Sequence, residues 1–262
     1  MHKTLKNTLL YVIGILLVAL ILQILSFAKG NEVFFPNIID ILKSFFVTLG
    51  EGKTYLYIST TLLELLIALV LSFILGMSLG ILGGISNNAY KILKPLMSIL
   101  RTLPIIVLIV ILMLLTRLNF APVLASVLVL TPIVYEGTCQ GIKNIDKTMI
   151  DAYKLETNIN FEVIRKVYIP LISSYSKASF ISCLGMGIKI LITCEYICGM
   201  NNTIGRAIIL ASQNLEYEKL YAYSFILVIL IMLIEFLPKL IEVIVLKLKN
   251  NNDKLEMSYS KE

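Results

Sequence analysis

The 262-residue chain has a single histidine, His2, beside the initiator methionine. That shortage excludes a buried imidazole-based catalytic dyad and a multi-histidine metal site. It also removes the main enzymatic rival for a membrane chain, an intramembrane hydrolase of the Ser–His type, because no apolar run contains His. Four cysteines are too few for a disulfide-stapled secreted scaffold. Cys194 and Cys198 share a helix face, but with no His to support them they read as small apolar residues, and no metal is expected. Charge is scarce as well: 15% of residues are Asp, Glu, Lys or Arg, against about 25% in an ordinary soluble domain. Gly52-Lys53-Thr54 resembles the end of a P-loop, yet Val47 stands where that motif requires its first glycine. The chain is therefore expected to hold no nucleotide and to need a partner or a gradient for energy. Nothing alternates at period two over ~10 residues, so a membrane β-barrel is excluded.

What the sequence does have is apolar residues. They make up 58% of it, with a mean hydropathy of +0.87. Disorder, coiled coils and ordinary soluble enzymes do not fit. Six runs are long enough to cross a bilayer, which takes about 20 residues each: 8–28, 55–85, 95–116, 118–135, 178–200 and 221–237. The first is too long for a cleaved signal h-region of about 7–15 residues, and a retained helix is expected. Sixteen of the 23 Lys and Arg residues fall on one set of alternating segments and six on the other, with Lys189 inside a span. This asymmetry places both termini inside. The +6 net charge is thus a topology signal, with no need for nucleic acid. The predicted fold is an all-α integral membrane protein with six transmembrane helices, N-in and C-in. It divides into an N-terminal membrane helix (1–30), an extracytoplasmic segment with a short amphipathic helix (31–54), a five-helix core (55–250) and a cytoplasmic tail (251–262). In the outer segment, Ile38, Ile41, Leu42, Phe45, Phe46 and Leu49 are expected on one helix face, with Asn37 as N-cap.

The inner segment 136–177, between spans 4 and 5, is too long and too patterned for a plain connector. Met149 to Glu156 and Phe161 to Tyr168 read as two short helices around a Thr157-Asn158-Ile159-Asn160 turn, the second ended by Pro170. Mixed charge on two short helices makes a docking surface.

Other residues stand out within the spans. Gly76, Gly80 and Gly84 recur every four residues and predict close helix packing. Lys189 and Glu195 lie six apart, too far round the helix to pair with each other. A charge at mid-membrane costs ~2.5–3.5 kcal/mol on insertion scales, so each faces a protein partner or a water-filled path. Glu64 is a candidate partner, a second subunit another. Structural ion pairing and pathway lining both remain open. Arg101 precedes Pro104, a predicted kink, and either snorkels to the interface or contacts a gate.

Asp151-Ala152-Tyr153, three residues, Thr157, nine residues and Val167-Tyr168-Ile169-Pro170 resemble the loop of bacterial binding-protein-dependent ABC importer permeases. That loop reads Glu-Ala-Ala, three residues, Gly, nine residues, Ile-x-Leu-Pro. Gly141 to Asp146, Phe35-Pro36, Arg101 to Pro104, and Glu195 followed by Gly199 and Gly205 are similar to the nitrate/sulfonate/taurine-type subfamily, with its MetI-like transmembrane domain. The resemblance covers about Phe34 to Asn250. It implies a permease subunit of an ATP-driven importer with no catalysis of its own. Asp151, Ala152, Tyr153, Lys154, Thr157, Asn158, Val167, Ile169 and Pro170 would form the loop that couples to the ATPase. ATP and Mg would sit on a partner ATP-binding subunit. A second permease subunit, giving a homodimer, and an extracytoplasmic solute-binding protein would complete the assembly in a bacterial cell membrane. The solute would be small, anionic or vitamin-precursor-like, and moved by alternating access. Two departures stand out: Thr157 replaces the family glycine, with Asn158 placed to take the left-handed position, and Glu64 stands where these permeases commonly carry a basic residue. The alternative is a stand-alone secondary transporter or channel, which accounts for the intramembrane charges but not for the ordered inner segment.

Overall fold

The computed structural model describes residues 36–116, 120–146, 161–236 and 238. The predicted first span (8–28) and the loop positions Asp151, Ala152, Tyr153, Lys154, Thr157 and Asn158 lie outside the described residues. Among the described residues, the regular structure is entirely helical. It comprises α1 (Ile38–Gly50), α2 (Gly52–Ile85), α3 (Asn87–Thr102), α4 (Ile105–Leu115) and α5 (Ala121–Lys143). After these come α6 (Phe161–Val163), a π-helical turn (Ile164–Tyr168), α7 (Ile169–Leu171), α8 (Ser173–Cys198), α9 (Ile204–Gln213) and α10 (Tyr217–Phe236). Four of them, α2, α5, α8 and α10, are long and apolar enough to cross a membrane. The pair α3–α4 makes up to a fifth span if taken as one broken helix.

That pair falls on the predicted span 95–116 and breaks it at the expected kink, more sharply than a bend within one helix. The chain turns by 101° between α3 and α4. Leu103 sits at φ −61°, ψ 130°, the extended region into which a following proline pushes its neighbour. Pro104 then opens α4 from the N-cap position, where its missing N–H costs nothing. Alone, the 11 residues of α4 rise only about 16 Å, half of a bilayer core. Two further ends differ from the sequence reading. α5 runs on through Glu136 and Gln140 to Lys143, and α8 begins at Ser173. The stretch between these two long helices is therefore 144–172, shorter than the predicted 136–177. Helix backbone continues for as long as its hydrogen bonds do, and a change from apolar to polar side chains does not stop it.

The chain forms two compact units, residues 1–60 with 199–229, and 61–198 with 230–262. In the first, Ala207, Tyr223 and Ile226 form a buried cluster with Phe45, Leu49, Tyr57 and Ile58 against it. Within α1, Ile41 and Thr48 are buried, whereas Leu42 and Phe46 are exposed; the predicted single apolar face is split. The Thr54 hydroxyl donates to the Thr48 carbonyl at 2.6 Å, closing the α1–α2 connection.

In the second unit α5 is the central helix. Gly76, Gly80 and Gly84 of α2 lie against it so closely that an added Cβ would stand 2.6 Å from Val134 Cβ, 2.6 Å from Thr138 Cβ and 2.8 Å from Ile142 Cβ respectively. On its other side Gly137 and Gly141 admit Ser179 and Tyr175 of α8. With few large side chains in between, dispersion contacts between backbones hold the three helices.

The described part of the inner segment is anchored to this unit. Tyr168 and Ile172 are buried with Ile142, and Met77, Ile81 and Ile85 of α2 pack against them. Pro170 does not end the helix, as the sequence reading had it. The Ile169 N–H reaches back five residues to the Ile164 carbonyl. This wider turn gives room for a proline ring that would clash in a regular α-helix. Burial pushes the Tyr168 phenol above its usual range.

Candidate functional site

Three polar constellations occupy the second unit. The first joins α2 and α8. Glu195 is fully buried, and the Thr61 hydroxyl donates to its Oε2 at 3.1 Å. Glu64, one turn along α2, is half-buried on the same side, and its Oε2 has no hydrogen-bond partner among the described residues. Two carboxyl groups thus sit near one another inside membrane-spanning helices, where a charge is costly unless it is paired or reaches water.

The second constellation is an ion pair. Lys189 Nζ lies 3.9 Å from Glu235 Oε1, with side chains 62% and 47% exposed. The partner of Lys189 is therefore Glu235, and not Glu64. Gly185, one turn before Lys189, makes room for it: a Cβ there would fall 2.6 Å from the same carboxylate oxygen. Lys189 and Glu195 point to different partners, as their spacing along the helix requires.

The third lies between α3 and α5. Arg101 pairs with Glu136, which also accepts from Gln140 Nε2 at 3.4 Å. Arg101 is thus fixed to α5 about two turns before its end. Cys139, Cys183, Cys194 and Cys198 are free thiols, and no cluster of metal-ligating residues occurs among the described residues.

On the inner segment, Val167 is half-buried, and Ile169 and Pro170 are exposed. They lie on the outer side of the turn that Tyr168 anchors, next to Arg165 and Lys166. Lys166 pairs with Glu162 at 2.6 Å on the surface.

Sequence reasoning missed Thr61 and assigned no role to Glu235. Thr61 carries no sequence signal, since its partner is 134 positions away. Glu235 had one: it is an acidic residue inside an apolar run, like Lys189.

No curated protein matches the chain by sequence. The fold is similar to two inward-facing crystal structures of the MetNI methionine ABC transporter. One is a selenomethionine soak with a TM-score of 0.63, and the other is native with a TM-score of 0.62. Each is 18% identical, and the match covers 73% of this chain and 96% of that one. The family model for the inner membrane component of binding-protein-dependent transport systems matches residues 72–247, which include the Lys189–Glu235 and Arg101–Glu136 pairs, Glu195 and the segment 144–172, while Thr61 and Glu64 precede it. The chain is a multi-pass membrane protein and belongs to that family of transport-system inner membrane components.

Proposed function

We propose that the chain is the permease subunit of an ATP-driven type I importer and forms the path of a small solute by alternating access. Six membrane crossings with both termini in the cytoplasm complete the topology, the bent pair α3–α4 counting as one crossing and the N-terminal helix 1–30 supplying the one outside the described residues. The outer segment 31–54, the core 55–250 and the tail 251–262 keep the roles given above. The protein works in a bacterial cell membrane as a homodimer, with a solute-binding protein outside. ATP and Mg belong to the partner ATP-binding subunit.

The observation that carries this reading is the anchored inner segment. Tyr168 and Ile172 tie it to α2 and α5, while Ile169 and Pro170 face outward. A push on the exposed side would be passed to two spanning helices as a rigid-body movement, which a loose loop cannot transmit. Residues 151–158, by their resemblance, supply the rest of the docking surface.

The nitrate/sulfonate/taurine-type subfamily is the reading we favour for the solute, which is then anionic or vitamin-precursor-like. Lys189 supports it: the ammonium is largely exposed within a spanning helix and held by one long ion pair, so an incoming anion can compete with Glu235.

Copurification tests the proposal. The permease should come out with an ATP-binding subunit, and reversal of charge at both Asp151 and Lys154 should weaken that association. An ATPase that binds and couples normally to the reversed variant would refute the docking role.

A further inference from the structure

A basic cavity between α3 and α5 has no part in the transport reading. It measures about 190 Å³. Met97, Pro132, Tyr135 and Cys139 form its buried floor. Three cations, Lys94, Arg101 and Lys143, stand around it with one carboxylate, Glu136. Glu136 is already engaged by Arg101 and Gln140. Lys94 and Lys143 approach the same aromatic ring, their ammonium groups 5.5 and 2.9 Å from the centroid of Tyr90. Neither has a carboxylate at ion-pair distance among the described residues. The ring offers each only a weak attraction, and the two like charges repel. The cavity therefore holds two positive charges in excess. A water needs roughly 10–15 Å³ in such a space, so there is ample room for a tetrahedral oxyanion.

The position of the cavity narrows the ligand. α3 turns 101° from α4. With α4 set into the bilayer, α3 runs close to the membrane plane. Its other face exposes Ile92, Leu96 and Ile99, as an interfacial helix does. The mouth then opens at the depth of lipid headgroups, where clustered Lys and Arg meet anionic phosphate.

We propose that this cavity is a phosphate-binding site, with Lys94 and Lys143 as its charge-bearing ligands and Arg101 fixed beside them by Glu136. The phosphate comes from an anionic phospholipid headgroup or from free phosphate in solution, and the depth of the mouth favours the headgroup.

The test uses the assembled transporter in nanodiscs of phosphatidylcholine. In one arm part of the lipid is replaced by phosphatidylglycerol; in the other, millimolar inorganic phosphate is added. Bound anion raises the melting temperature by mass action. A rise with phosphatidylglycerol, accompanied by retained phospholipid in native mass spectra, assigns the site to a headgroup. A rise with inorganic phosphate alone assigns it to free phosphate. In either case the rise should disappear in Lys94→Gln/Lys143→Gln and persist in Lys91→Gln, whose side chain does not line the cavity. If the double variant does not assemble, each single variant decides: a reduced rise supports the site and a full rise overturns it. No rise in either arm, or an undiminished rise in the double variant, also overturns it.

Discussion

The Thr61 hydroxyl donates to Glu195 Oε2 at 3.1 Å, from a different membrane-spanning helix, and Glu195 is entirely buried. A buried carboxyl group in such a place depends on its hydrogen bonds. Thr61→Val keeps the side-chain shape and removes the donor. It should destabilise the protein by about 1–3 kcal/mol, read as a lower melting temperature in detergent, and Thr61→Ser should recover most of the loss. A Thr61→Val protein that melts with the wild type would contradict the assignment.

The glycine seam sets a steric prediction. At Gly80 a Cβ would stand 2.6 Å from Thr138 Cβ and 2.9 Å from the Tyr135 carbonyl oxygen. Part of that obstacle is backbone, which cannot swing away. Gly80→Ala should cost roughly 1–3 kcal/mol, the usual range for overpacking, and Gly80→Leu should prevent recovery of monodisperse protein. At Gly50 nothing lies within 4 Å, so Gly50→Ala serves as the neutral control.

Leu215 takes φ +59°, the left-handed region, where a side chain costs roughly 1–2 kcal/mol. It is 60% exposed and gives up little packing when removed. Leu215→Gly should raise stability by about 0.5–1 kcal/mol after the larger chain entropy of glycine is subtracted. Thermal unfolding measures it, and a decrease would show that the leucine side chain makes a contact worth more than the strain.

Lys189 gives a functional prediction. Lys189→Met removes the charge, retains much of the length and leaves Glu235 unpaired. Uptake should be lost while the complex still assembles. Normal uptake by the mutant would remove Lys189 from the pathway and leave the Lys189–Glu235 pair a structural one.

How much of this was legible beforehand differs from element to element. The long apolar runs gave most of the spanning helices, and run 55–85 ends at the same Ile85 as α2. Run 95–116 is broken for a physical reason. Hydropathy averages across Leu103-Pro104, while the backbone turns there. α3 and α4 are also different kinds of helix. α3 carries Lys91, Lys94 and Arg101, whereas α4 is apolar throughout. The polar ends of α5 and α8 resemble loop in the sequence, because a change from apolar to polar residues looks like a boundary while the backbone hydrogen bonds continue through it. In α1, periodicity gathered six apolar residues onto one face, but only tertiary packing decides that Ile41 is covered and Phe46 is not. The intramembrane charges were visible as anomalies. Their partners were not, since Thr61 and Glu195, or Lys189 and Glu235, meet only when the helices do.

In the proposed function, ATP on a partner subunit drives solute movement through this chain. Flux in proteoliposomes tests it directly, using the solute that mass spectrometry finds on the partner binding protein. Uptake should occur only when the ATP-binding subunit, ATP and the binding protein are all present. Uptake by the chain alone, driven by an ion or solute gradient, would contradict it and make the protein a stand-alone transporter.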